Sequence, residues 1–146
     1  LLREAQVLLP LDAPVTGTLT EKAFLPVYTE QLKDRIRKGL HTSEEQPLSG
    51  LHIVVDAGNG AGGFYARLLE DLGARTEGSQ FLEPDGTFPN HVPNPENETA
   101  MEAVRKAVLD AEADLGVIFD CDGDRGAVVF SDGDVWRILR WEEESK

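Results

Sequence analysis

The chain has 146 residues, 40% of them hydrophobic and 28% charged, which suits one compact domain with a flanking segment. Its net charge of −13 argues against nucleic acid or an anionic membrane as the main partner, and no apolar run approaches the roughly 20 residues that span a bilayer. Any phosphate-bearing ligand must then be met by a metal with a few local basic residues, or by positive charge from another domain.

The opening Leu1-Leu2-Arg3 has neither a Met nor the basic region and apolar core of a signal peptide, and reads as a chain entered in mid-course. Thr20-Glu21-Lys22, followed by Phe24, Leu25, Val27, Tyr28, Leu32, Ile36 and Leu40, predicts an amphipathic helix ending near Gly39. Pro26 falls in its first turn, where proline is tolerated. The stretch from His41 to Gly50 reads as a solvated linker, and residues 1–20 fall outside any core. Residues 1–50 are therefore expected to be an N-terminal helix and linker, closing a preceding domain and leading into the next.

From Leu51 the pattern becomes α/β. Leu51 to Val55 is a short apolar run suited to a buried strand. A glycine-rich turn, Asp56 to Gly63, leads into a helix over Phe64 to Leu72 that Gly73 stops. Arg75 to Leu82 is expected as a second strand. Glu83 to Glu96 must be an irregular loop, since its four prolines cannot donate to a ladder. Glu98 to Ala113 predicts an amphipathic helix with Met101, Val104, Val108 and Leu109 on its apolar face. Leu115 to Phe119 and Gly126 to Phe130 complete the strands, and their short connection makes that last pairing antiparallel. The expected fold is α/β, a mixed, mostly parallel four-stranded sheet covered by helices, over residues 51–134. Ser131-Asp132-Gly133-Asp134 reads as a hairpin-type turn, and Val135 to Leu139 as one further strand. Residues 135–146 are expected to form a divergent tail in which Trp136 and Trp141 mark a surface to be covered.

Asp120, Asp122 and Asp124 carry the strongest chemical signal. They alternate directly after an apolar strand, and Gly123 lets the backbone curl so that their carboxylates converge. Three clustered anions would raise one another's pKa values, and a divalent ion that prefers oxygen, Mg²⁺ above others, resolves the repulsion. A plain polar turn is the competing reading. An EF-hand loop is excluded because positions 6 and 12 counted from Asp120 hold Arg125 and Ser131. A haloacid-dehalogenase-type phosphatase would need a downstream lysine and a second acidic motif, and only Lys146 follows. Cys121, the single cysteine, rules out an internal disulfide, fits a reducing compartment and reads as a small apolar filler pointing away from the aspartates.

Gly58, Gly60 and Gly63 satisfy the spacing of a dinucleotide-binding loop, with Glu83 placed as the ribose-binding acid. The proline-rich loop after the second strand breaks the repeat that such a fold needs. A tight strand-to-helix turn, fixed by hydrogen bonds from Asp56 and Asn59, is preferred.

Three blocks occur in order: Val54 to Gly62, then Pro84-Asp85-Gly86-Thr87-Phe88-Pro89-Asn90-His91-Val92-Pro93-Asn94-Pro95, then Asp120-Cys121-Asp122-Gly123-Asp124-Arg125. Together they resemble the second of four domains in the α-D-phosphohexomutases (phosphoglucomutase and phosphomannomutase). The resemblance implies that Asp120, Asp122 and Asp124 hold one Mg²⁺, whose further main ligand is a phosphoserine oxygen from a first domain. It implies that Arg125 contacts that phosphate, and that the parent isomerase moves phosphate between O1 and O6 of a hexose phosphate. The expected partners are that substrate and the phosphoserine, with no nucleic acid and no membrane.

The sequence departs from the family in lacking segments like its serine, sugar-reading and phosphate-binding loops, so this chain alone is expected to be inactive. The residues after Gly133 also depart from the family pattern, and Cys121 replaces the small or polar residue usual there. Two alternatives stand beside this reading: a non-catalytic remnant binding a metal or a partner through Trp136 and Trp141, and, more weakly, a dinucleotide-binding domain. Cytoplasm is the expected location, with the plastid as alternative.

Overall fold

The computed structural model describes residues 17–132 and 135–138. The tail beyond Ile138, Gly133 and Asp134 of the expected turn, residues 1–16 and the surface expected around Trp136 and Trp141 lie outside the described residues.

Helix α1 (Leu25–Gly39) carries Pro26 in its first turn and Arg37 and Lys38 in its last, where cations meet the negative end of the helix dipole. It is followed by β1 (Ile53–Asp56), a short 3₁₀ turn at Ala61–Gly63, α2 (Phe64–Asp71), α3 (Glu98–Asp110), β2 (Leu115–Phe119), β3 (Gly126–Phe130) and β4 (Val135–Ile138). The sheet order is β1-β2-β3-β4. Strands β1 and β2 are parallel, with Val55 opposite Val117, and the long crossover between them carries α2 and α3. The β2–β3 and β3–β4 pairs are antiparallel.

The helix ends follow local chemistry. Asn97 caps α3 by accepting from the Ala100 N–H at 3.1 Å. Gly73, at φ 96°, closes α2 in a Schellman turn, with Gly73 N–H donating to Glu70 and Ala74 N–H to Leu69.

Alternation along the strands divides the core between two faces. Val54, Ile118, Ala127 and Val129 pack beneath α3 against Met101, Val104 and Val108. Ile53 packs on the other face with Leu48, Leu68 and Leu72, and Leu32, Ile36, Leu115 and Val117 adjoin them. The layering is thus helix, sheet, helix.

Four expectations are corrected. Arg75 to Leu82 is not a strand: its backbone pairing alongside β1 is reduced to two isolated parallel bridges, His52 with Arg75 and Asp56 with Gln80. Between them the chain turns through Gly78 at φ 89° and Phe81 follows at φ 54°, so a continuous ladder is impossible. The Ser79 hydroxyl takes the place of the missing carbonyl and accepts the Val55 N–H at 2.9 Å. With that strand absent and the further strand expected from Val135 present as β4, antiparallel pairs outnumber the one parallel pair in the sheet. The helix expected to Ala113 ends at Asp110, and Leu109 is 57% exposed rather than on the packed face. Most of the expected apolar face of α1 is also open, since only Leu32 and Ile36 join the core while Phe24, Leu25, Val27 and Leu40 are exposed. The linker before β1 is anchored where Leu48 is buried and its N–H donates to the Leu72 carbonyl, and where Arg37 Nε and Nη2 donate to the Glu44 and Glu45 carbonyls, both at 3.1 Å.

Among the described residues, no helix is long and apolar enough to cross a membrane.

Candidate metal centre

The connection between β2 and β3 is built around Asp120. Its side chain is 1% exposed, and its Oδ1 accepts the backbone N–H of Gly123 and of Arg125, both at 3.0 Å. Gly123 sits at φ 78°, the left-handed turn that brings the chain back toward Asp120. The Asp120 N–H donates in turn to the Arg125 carbonyl at 3.1 Å, which closes the loop and starts β3.

This curl gathers the three expected ligands. One carboxylate oxygen from each of Asp120, Asp122 and Asp124 lies within 4.8 Å of the others. Asp120 is buried while Asp122 and Asp124 face solvent. An all-oxygen set with one anchored and two open carboxylates suits a hard divalent cation that keeps part of its water shell. Asp120 uses Oδ1 for the two backbone donors and one side of Oδ2 for Arg125 Nε at 3.0 Å, leaving acceptor capacity on Oδ2. The residues therefore fit an ion.

The electrostatics agree. A hydrogen bond shared with Asp120, then desolvation and the charges of Asp120 and Asp122, push the Asp124 carboxyl above its ordinary value. Burial acts to raise Asp120 as well. The Arg125 backbone N–H, the bond to Asp124 and the Arg125 charge outweigh it and hold Asp120 below the usual carboxylate value.

Arg125 lies at the edge of this cluster. Its Nε donates to Asp120 and its Nη1 to Asn94 Oδ1 at 3.4 Å, and Asp124 Oδ1 is 3.7 Å from Nε. The remaining guanidinium N–H groups have no partner among these contacts.

The two other sequence blocks pack around the aspartate loop. The Ala61 N–H donates to the Cys121 carbonyl at 2.9 Å, and a Cβ on Gly60 would stand 2.8 Å from that same oxygen. A Cβ on Gly63 would lie 1.8 Å from the Leu82 carbonyl oxygen. The glycines thus admit the protein's own backbone, so the loop is no open cradle for a dinucleotide pyrophosphate. As expected, Asp56 and Asn59 fix the turn: Asp56 Oδ1 accepts the Gly58 N–H at 2.9 Å, and Asn59 Nδ2 donates to the Glu83 carbonyl at 2.9 Å. The side-chain amide of Asn90 in the proline-rich loop reaches Asn59 Oδ1 at 2.8 Å.

Cys121 differs from its expected role. It is exposed, not an apolar filler, with Sγ 3.9 Å from Asp122 Oδ1, because the loop is curled rather than extended at this residue. Beside the loop runs an open groove of about 1030 Å³, walled by α1, the glycine turn, Asp85 and Asp122. Within it Tyr65 stacks on Phe119 at 4.5 Å, and burial followed by the nearby Tyr28 pushes the Tyr65 phenol up to about 12.

Residues 26–133 match the family model for phosphoglucomutase/phosphomannomutase, alpha/beta/alpha domain II. The chain belongs to this family. Over 104 residues it is 40% identical to a phosphomannomutase/phosphoglucomutase of Pseudomonas syringae pv. tomato, covering 70% of this chain and 20% of that protein. A phosphomannomutase of Salmonella typhimurium is 35% identical over 124 residues, covering 81% of this chain and 25% of the relative. Among solved structures, a phosphoglucomutase/phosphomannomutase family protein from Burkholderia thailandensis superposes with a TM-score of 0.60 at 36% identity, over 73% of this chain and 22% of that one. The chain thus spans about a fifth to a quarter of the length of these relatives.

Two contacts in this phosphohexomutase-family domain were not legible beforehand. One is the buried pair of Asp56 and His91, and the other is Asn94 on Arg125. His91 and Asn94 stand in the proline-rich block, but a single sequence contains no signal pairing them with residues on other loops.

Proposed function

We propose that this chain is the metal-binding domain, residues 51–134, of a phosphohexomutase that moves phosphate between O1 and O6 of a hexose phosphate. The observation that supports it is the convergence of three carboxylate oxygens within 4.8 Å on the β2–β3 loop of a member of this family. In this reading Asp120, Asp122 and Asp124 hold Mg²⁺, with Asp120 as the anchored ligand and the two exposed aspartates closing on the ion. Bound there, Mg²⁺ would polarise a phosphate oxygen and offset charge during transfer.

The residues of the chain itself would do the rest. Arg125, clamped through Nε, presents its free N–H groups to the oxygens of a phosphoserine supplied by a first domain. The N–H donors of Gly123 and Arg125 hold the Asp120 carboxylate in place. The helix and linker of residues 1–50 lead in from that domain, and β4 completes the sheet that supports the metal loop. The reaction runs in the cytoplasm on a soluble sugar phosphate, and the chain alone turns over none, since it has no serine nucleophile loop.

Isothermal titration of the chain with MgCl₂ tests the ligand set. Asp122→Asn is expected to weaken Mg²⁺ binding by about tenfold or more, since a neutral amide is a poor ligand for a hard cation. Equal affinity in the variant would overturn the assignment. Interconversion of glucose 1-phosphate and glucose 6-phosphate by the isolated chain would instead overturn its expected inactivity, since it would show a nucleophile within it.

A further inference from the structure

Arg125 is held from two sides. Asp120 takes Nε from within its own loop, while Asn94 takes Nη1 from the proline-rich loop, 31 residues away in sequence. One contact alone would let the guanidinium plane swing about the bond to Asp120. Two acceptors on different nitrogens define its plane, and with it the direction of the N–H groups that remain free.

Asn94 is itself held in place. The same Oδ1 accepts the Glu96 N–H at 2.9 Å, which locks the side chain against its own backbone. The Asn94 N–H donates to Val92 at 2.8 Å, and its carbonyl accepts the Asn97 N–H at 2.9 Å at the start of α3. Pro93 and Pro95 on either side are buried, so the backbone there has little freedom. Upstream, buried His91 ties the loop to Asp56 at the end of β1.

We infer that Asn94 is a positioning residue for Arg125: it sets the guanidinium plane so that its open edge faces phosphate beside the aspartate cluster. The inference rests on the proposed phosphate-contacting role of Arg125, but the clamp can be observed without phosphate.

Two measurements on the full chain test it, using Asn94→Ala and Asn94→Asp. The first follows the Arg125 Nη1–H signal, the donor to Asn94, by NMR in the absence of phosphate. Its solvent exchange should quicken about three- to tenfold in Asn94→Ala, the range expected for one lost hydrogen bond. In Asn94→Asp, which keeps the acceptor, it should stay near the wild-type rate. Unchanged exchange in Asn94→Ala would overturn the inference.

The second titrates a phosphoserine peptide in the presence of Mg²⁺. Asn94→Ala should lower affinity by a similar factor, and this loss should vanish in an Arg125→Ala background. An equal loss in that background would mean that Asn94 acts through loop structure and would also overturn the inference. If wild-type chain binds Mg²⁺ but not the peptide while the exchange result holds, the phosphate-contacting role fails and the Arg125 clamp survives.

Discussion

The Nε2 of His91 lies 3.0 and 3.1 Å from the two carboxylate oxygens of Asp56, and both side chains are sealed from solvent. Asp56 also accepts the Gly58 N–H and the Gln80 amide at 2.8 Å. On its other side the ring meets the Val92 carbonyl oxygen, 3.0 Å from Nδ1. This pair joins the end of β1 to the proline-rich loop and fixes where that loop passes the metal cluster.

Removing His91 takes one hydrogen-bond donor from the buried Asp56 carboxylate and leaves a cavity where the ring was. His91→Ala is therefore expected to destabilise the fold by about 2–3 kcal/mol. Urea unfolding followed by circular dichroism measures this. A loss below about 1 kcal/mol would show that Gly58 and Gln80 suffice for the carboxylate.

Gly63 is the tightest point of the glycine turn, and backbone cannot yield there as a side chain could. Gly63→Ala, whose Cβ would lie 1.8 Å from the Leu82 carbonyl, is expected to cost about 3 kcal/mol or more, or to prevent folding. Gly86→Ala is the control, since nothing lies within 4 Å of its Cβ position. Its thermal midpoint should match wild type, and equal loss in both variants would refute the packing argument.

Lys33 joins α1 to α2 through Asp71 at 2.8 Å, with Glu30 at 2.7 Å on its own helix. The Lys33 hydrogen bond holds the Asp71 carboxyl below its usual value, and Asp71, then Glu30, raise the Lys33 ammonium. The depressed aspartate contributes stability that is complete above its unfolded pKa and disappears as pH falls through the lower folded one. The raised lysine contributes stability that is complete below its unfolded pKa and disappears as pH rises through the higher folded one. The contact should thus hold through neutral pH and fail at both extremes. The test compares thermal midpoints of wild type and Lys33→Met at pH 7 and pH 2.5. The gap should narrow in acid, and an unchanged gap would mean that the lysine stem, not its charge, supports the docking.

Helix α3 ends with exposed Glu112 at φ 48°, in the place where helices favour glycine. Ala113 N–H closes the turn on Val108 at 2.9 Å. Glu112→Gly should relieve left-handed backbone strain and raise stability by about 0.5–1 kcal/mol, less than the full strain because glycine also frees the unfolded chain. Chemical denaturation showing a loss would mean that the glutamate side chain makes up for its strain.

The sequence by itself determined the parts that depend on neighbours along the chain. Helical periodicity located α1, α2 and α3, apolar runs located β1, β2 and β3, and Gly73 and Gly123 marked their turns. The Asp120, Asp122 and Asp124 cluster was legible because one short loop contains all three ligands. Only the tertiary structure decided which apolar faces are covered, as the open side of α1 and exposed Leu109 show, since burial depends on what another element brings against a face. It also decided that Arg75 to Leu82 bends away from the sheet, where Ser79 replaces a strand carbonyl. The meetings of Asp56 with His91 and of Arg125 with Asn94 join residues 35 and 31 positions apart. No local rule encodes such a distance; the path of the proline-rich loop across the ends of β1 and β2 sets it.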